Sequence, residues 1–64
     1  MSIKEALYKM SFRKLVRHEE FMHNLYCFMN TDGTIEDFEL GRISEQEFLE
    51  FYKYFEDGWH VYEG

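Results

Sequence analysis

S-F-R-K-L-V-R-H-E-E-F-M-H-N-L-Y-C-F-M-N, residues 11–30, is the stretch that decides the fold, because it contains neither proline nor glycine. Phe12, Leu15, Val16, Met22, Leu25, Tyr26 and Met29 recur at spacings of three and four, the period of one face of an α-helix. Phe21, Leu25 and Phe28 widen that stripe, as in a helix with more than one neighbour. Upstream, Ser2 and Glu5 form an S-x-x-E capping box, in which each side chain satisfies an orphan backbone donor of the other. Together these features predict helix over residues 3–29, either unbroken or as a short helix leading into a longer one from Phe12, with Ser11 as a second cap.

Asn30, Thr31, Asp32 and Gly33 then give the strongest turn signal in the chain, since Asn, Asp and Gly tolerate the backbone conformations that end a helix. Thr34 and Asp37 offer a cap for a short helix over residues 35–40, stopped by Gly41. Ser44 and Glu47 repeat the capping box, and Phe48, Phe51, Tyr52 and Phe55 follow at i, i+3, i+4 and i+7, which predicts an amphipathic helix over residues 45–56. Gly58 stops it, and Trp59, Val61 and Tyr62 are left in a short extended tail outside any sheet. The expected architecture is all-α: one three-helix domain over residues 1–64, with a long N-terminal helix, a short connector and a C-terminal amphipathic helix. The expected core is Leu15, Met22, Leu25, Tyr26, Phe38, Phe48, Phe51, Tyr52 and Phe55, with Trp59 closing one end.

A chain of 64 residues forms at most one core, because a domain this short hides only about 60% of its extended surface on folding. Cys27 is the sole cysteine, so no disulfide forms within the chain, and a lone thiol fits a reducing compartment. No N-terminal apolar run resembles a signal peptide, and the longest apolar run, residues 25–29, is far short of the ~18 residues of a membrane span. A cytoplasmic protein with no membrane contact is expected. The charges are unevenly placed: residues 1–18 hold five cations against one carboxylate, whereas residues 19–64 hold two cations against twelve carboxylates.

The residues around Asp32-Gly33 resemble the calcium-binding EF-hand, a helix-loop-helix whose loop sets oxygen ligands around a central glycine. With Gly33 as that glycine, the resemblance implies Asn30, Asp32, Thr34, Glu36 and Glu39 as ligands, but it puts Phe28 where the family has its first carboxylate. With Gly41 there instead, G-R-I-S-E-Q-E-F matches the family's tail up to Glu47, but Phe38 and Leu40 fall on ligand positions. A hard cation needs six or more oxygens, so a helix-turn-helix without calcium is expected, and a divalent-ion-responsive module is the alternative. His23 and Cys27 would share a helix face, with His60 as a third ligand for zinc or copper; a small buried thiol is the simpler expectation for Cys27. No metal or cofactor is expected.

No phosphate-binding glycine loop or nucleophile elbow accompanies the available Ser and Cys side chains, so an enzyme is not expected. Lys9, Arg13 and Arg17 form a basic stripe at i, i+4 and i+8, with Lys14 beside it. Excess acid elsewhere in so small a domain opposes direct nucleic-acid binding, and pairing with acidic surface, within the chain or across a homodimer, is the better expectation. Thirteen aromatic rings exceed what a core of this size needs. The expectation is therefore a small acidic protein-interaction module, a bacterial or phage regulator or inhibitor. Its aromatic patch, ringed by carboxylates, would be anchored by Trp59, Tyr62, Tyr54 and Phe28. A further alternative is an inhibitor that mimics nucleic acid through its carboxylates, like small phage-encoded inhibitors and antirestriction proteins, which it resembles in composition.

Overall fold

The computed structural model describes residues 1–63 and corrects the all-α expectation. Its described residues form a mixed α/β fold of two helices and five short strands: α1 (Ile3–Met10), β1 (Val16–His18), β2 (Phe28–Met29), β3 (Ile35–Asp37), β4 (Gly41–Ile43), α2 (Glu45–Phe51) and β5 (Trp59–Val61).

The predicted helix over residues 3–29 ends at Met10. Arg13 takes the left-handed region at φ 67, Lys14 N–H donates to Lys9 O at 3.3 Å and Arg13 N–H donates to Met10 O at 3.0 Å. That bond pair is the Schellman ending, usually built on glycine; here an arginine fills the glycine's place. Asn24, at φ 72, is a second left-handed residue inside the stretch. Between them the chain runs as β1, with Val16 and His18 buried and Arg17 half-buried, the alternation of a strand.

β1 pairs antiparallel with β5, setting Val16 opposite Val61 and His18 opposite Trp59, so the C-terminal tail is a sheet strand after all. On its other side Val16 exchanges backbone hydrogen bonds with Cys27 at 2.8 and 3.0 Å, which links this ribbon to a second sheet of order β2-β3-β4. The Asn30–Gly33 turn exists, but it joins strands β2 and β3 as a hairpin, and residues 35–40 are β3 and a turn rather than a helix. Both capping boxes form as the sequence implies. α2 starts where expected but stops at Phe51.

The core lies between the helices and the two sheets. Ile3, Ala6, Leu7 and Met10 of α1 meet Val16, Cys27, Ile35 and Ile43 of the strands, with Phe48 and Tyr52 from α2 and Trp59 from β5. Phe48 and Tyr52 match the expected core; Met22, Phe38 and Phe51 are exposed instead, and Leu15, Leu25, Tyr26 and Phe55 are half-buried. No described helix is long and apolar enough to cross a membrane.

Candidate protein-binding cleft

Among the described residues, three of the eight exposed large apolar side chains, Met22, Phe38 and Phe51, line one concavity of about 470 Å³. The β1–β2 loop contributes Phe21, Met22 and Leu25, the β3–β4 turn contributes Phe38, and the end of α2 contributes Phe51, Tyr52 and Phe55. Tyr52 is buried and forms the floor, while Met22 (77% exposed), Phe51 (47%) and Phe38 (40%) stand at the rim. Phe21 joins rim to core: its ring meets Phe38 edge-on at 4.8 Å and lies 5.5 Å from Trp59 and 5.7 Å from Tyr52. Glu20 and Glu39 are the charged residues of the lining, and neither forms a salt bridge among the described residues.

Two buried polar groups fix these walls. Glu20 N–H donates to His18 Nδ1 at 3.0 Å, so that nitrogen is the acceptor and Nε2 carries the proton it gives to Asp57 O at 2.6 Å. Glu19 N–H reaches Gly58 O at 2.9 Å, and Arg17 Nη2 donates to Phe21 O at 2.6 Å. The loop after β1 is thus tied to the segment before β5. The second group is Asp37, at the end of β3. Its Oδ1 accepts from Tyr52 OH at 2.6 Å and from Cys27 Sγ at 3.2 Å, and its Oδ2 accepts from Glu39 N and Leu40 N, each at 3.0 Å. Four donors satisfy a buried carboxylate, as such a charge requires, and they lock the turn that presents Phe38 and Glu39 onto the floor residue Tyr52. Burial, reinforced by Asp37, pushes the Tyr52 phenol and the Cys27 thiol far above their ordinary ranges. Cys27 is thus a buried thiol that donates to Asp37 and is shut off from solvent.

The anchors expected from sequence are dispersed. Trp59, 1% exposed, belongs to the core, and its indole N–H donates to Phe55 O at 2.6 Å. Tyr62 stacks on Tyr26 at 4.8 Å, and the Phe28 ring centre lies 6.4 Å from that of Tyr26. Phe28 shares a shallower depression with Leu25 and Phe38, next to the cleft. Tyr54 is exposed apart from both, with Lys53 Nζ 5.4 Å from its ring centre. Met22, Phe38 and Phe51, which form the rim, were expected in the core; helical spacing alone cannot tell an exposed ring from a buried one.

The basic stripe is also divided. Lys9 and Arg13 are exposed around the end of α1, while Arg17 lies on β1 and points its guanidinium at the Phe21 carbonyl. In the loop resembling an EF-hand, strands flank the turn in place of helices, and its oxygens are engaged internally. Asp32 Oδ1 accepts from Thr34 N and Thr34 Oγ1, Asn30 Nδ2 donates to Thr34 Oγ1 and Glu36 Oε1, and Arg42 stands 3.8 Å from Glu36 and 4.0 Å from Asp32. Glu39 sits on the next turn, at the cleft. Among the described residues no three His, Cys, Asp or Glu side chains are grouped to hold a metal ion. Comparison with known proteins finds no matching family model, no similar curated protein and no similar solved structure.

Proposed function

We propose that this chain is a protein-interaction module, acting by binding rather than by chemistry, and that its docking surface is the cleft walled by the β1–β2 loop, the β3–β4 turn and the end of α2. The observation that carries this reading is the convergence of Met22, Phe38 and Phe51 around a buried aromatic floor, edged by the unpaired carboxylates of Glu20 and Glu39. A contiguous apolar depression with a polar rim is the usual mark of an interaction surface, and a flexible methionine beside rigid rings suits a groove that receives side chains. The complementary ligand is an amphipathic segment that presents apolar side chains flanked by Lys or Arg. A domain this small acts on such a partner by covering it, as a regulator or inhibitor.

Titrating the full chain with a synthetic Leu/Lys amphipathic helix, and separately with its Leu/Glu counterpart, tests the reading by amide NMR. The Leu/Lys peptide is expected to shift Phe21, Met22, Leu25, Phe38 and Phe51. The double variant F38A/F51A is expected to bind at least ~10-fold more weakly, the ~1.4 kcal/mol or more typical of losing a hot spot. Equal binding of the Leu/Glu peptide, or shifts centred elsewhere, would overturn it.

A further inference from the structure

The charge asymmetry of the sequence has a spatial counterpart on the other flank of α2. Tyr8 (64% exposed) and Phe12 (59%) form an edge-to-face pair at 5.0 Å on the outer side and end of α1. Lys4 lines a depression with Tyr8, and Lys9, Arg13 and Lys14 are the pair's neighbours in sequence; all four are exposed and none forms a salt bridge among the described residues. Glu45 lies with Lys4 and Tyr8 in the depression beside α1, and further carboxylates stand across the molecule. Glu20 and Glu39 line the cleft, and an adjoining depression that shares Phe51 adds Glu47 and Glu50. α2 separates the two surfaces: Glu45 and Leu49 face the depression beside Tyr8, while Glu47, Glu50 and Phe51 face the cleft side. The chain cannot fold its own basic edge into its own cleft.

We infer that the Tyr8–Phe12 edge of one copy docks into the acid-rimmed cleft of a second copy. This rests on the proposed reading of the cleft as a binding surface and names its occupant. The edge has what the cleft calls for: two rings, each able to bury ~150–250 Å², with cations on either side to meet the carboxylates. Opposing this, each copy carries a net charge of −6. At physiological ionic strength, where the Debye length is ~8 Å, that long-range repulsion is largely screened while contacting pairs are not. The contact area is at the small end for protein interfaces, so the pairing is weak and concentration-dependent.

Sedimentation equilibrium of the full chain tests it. The wild type is expected to rise above its monomer mass of 7.9 kDa with concentration and to return toward it at about 1 M salt, where the Debye length falls to ~3 Å. Y8A/F12A, which lacks the edge, and F38A/F51A, which lacks the cleft rim, are each expected to stay monomeric; F38A/F51A is expected to melt lower but remain folded, because Phe38 packs on Phe21 and Phe51 on Tyr52. Mixed one to one, they are expected to form a dimer, because each supplies the surface the other lacks. A wild type that stays monomeric at every concentration, a mixture that stays monomeric, or a monomer whose Tyr8 and Phe12 bind vesicles of anionic phospholipid instead overturns the inference. If self-association fails while the Leu/Lys peptide still enters the cleft, only this pairing fails; if the peptide fails too, the reading of the cleft falls with it.

Discussion

Gly58→Ala is expected to be far more damaging than alanine at the other left-handed glycines, and the difference measures how tightly His18 is held. Gly58 has φ 94, and a Cβ there would lie 2.8 Å from His18 Nε2 and 3.0 Å from Glu19 Cδ. The Glu19 side chain is exposed and gives way easily. His18 does not, because it is buried with Phe55 at 4.3 Å, Trp59 at 5.2 Å and Phe21 at 6.1 Å around its ring, and the nitrogen under attack is the one that donates to Asp57 O. A non-glycine residue held at positive φ costs of order 1–3 kcal/mol, and leaving a buried hydrogen-bonding group without its partner costs ~1–3 kcal/mol more. The sum, about 2–6 kcal/mol, rivals the ~3–10 kcal/mol that folding supplies to a chain of this length. Gly33 (φ 89) and Gly41 (φ 77) have nothing within 4 Å of the same Cβ, so alanine there bears the backbone strain alone. Urea unfolding followed by the fluorescence of Trp59 gives all three values. If Gly58→Ala is no costlier than Gly33→Ala, the account of His18 as a fixed tie between the β1–β2 loop and the β5 segment is wrong.

Two further outcomes follow from the same contacts. Tyr52→Phe removes a hydrogen bond to the buried Asp37 carboxylate, an interaction worth ~1.5–3 kcal/mol, and it is expected to lower the urea midpoint and move the amide resonances of Glu39 and Leu40; a loss below ~0.5 kcal/mol, the ordinary range of surface substitutions, refutes the role given to that network. The capping carboxylates of Glu5 and Glu47 are held below their ordinary value of 4.5, chiefly by the backbone N–H groups of Ser2 and Ser44, and Asp32 is held below 3.8, chiefly by the Thr34 hydroxyl. A depressed folded-state pKa contributes stability that is present above the unfolded value and is lost as pH falls through the folded one. Stability should therefore decline as pH drops below about 4.5, less steeply in Glu5→Gln/Glu47→Gln, and equal pH dependence of the variant and wild type would contradict the assignment.

What the sequence made legible was local. The two S-x-x-E boxes and the Asn30–Gly33 turn depend on neighbours within four residues, and all three form. What it concealed depends on distant partners. Arg13 takes a left-handed conformation that no breaker announces, Asn24 takes another with no Asp, Gly or Pro beside it to mark a turn, and β1, β3, β4 and β5 are three residues each, too short for strand alternation to emerge from a helix-like spacing. The spacing of Phe12, Leu15 and Val16 was therefore coincidental with a helix. Asp37 read as a capping residue, because nothing nearby in sequence signals that Cys27, ten residues before it, and Tyr52, fifteen after, share its Oδ1. The cleft was half legible. Its aromatic and acidic character came from composition, whereas its members came from loops whose exposure only the fold decides.

The thirteen rings differ in location, and that difference makes a binding role testable. Of thirteen rings, Phe48, Tyr52 and Trp59 are buried, while Tyr8, Phe12, Phe28, Phe38, Phe51 and Tyr54 are exposed. Were the exposed rings scattered singly they would need no explanation, as isolated apolar side chains are normal on any surface. Four of them instead fall into two groups, Phe38 and Phe51 lining the cleft with Glu20 and Glu39, and Tyr8 with Phe12 on the basic N-terminal segment. Tyr52 connects the first group to the interior, since the same ring floors the cleft and holds Asp37. A ligand that enters the cleft therefore presses on a core residue and must stabilise the folded chain in proportion to its affinity, whereas the rim rings Phe38 and Phe51 are exposed but still meet Phe21 and Tyr52 edge-on. Binding is expected to lose more than folding at Phe38 and Phe51 and the two to fall together at Tyr52, so variants at these positions tell a docking surface from an ordinary exposed face.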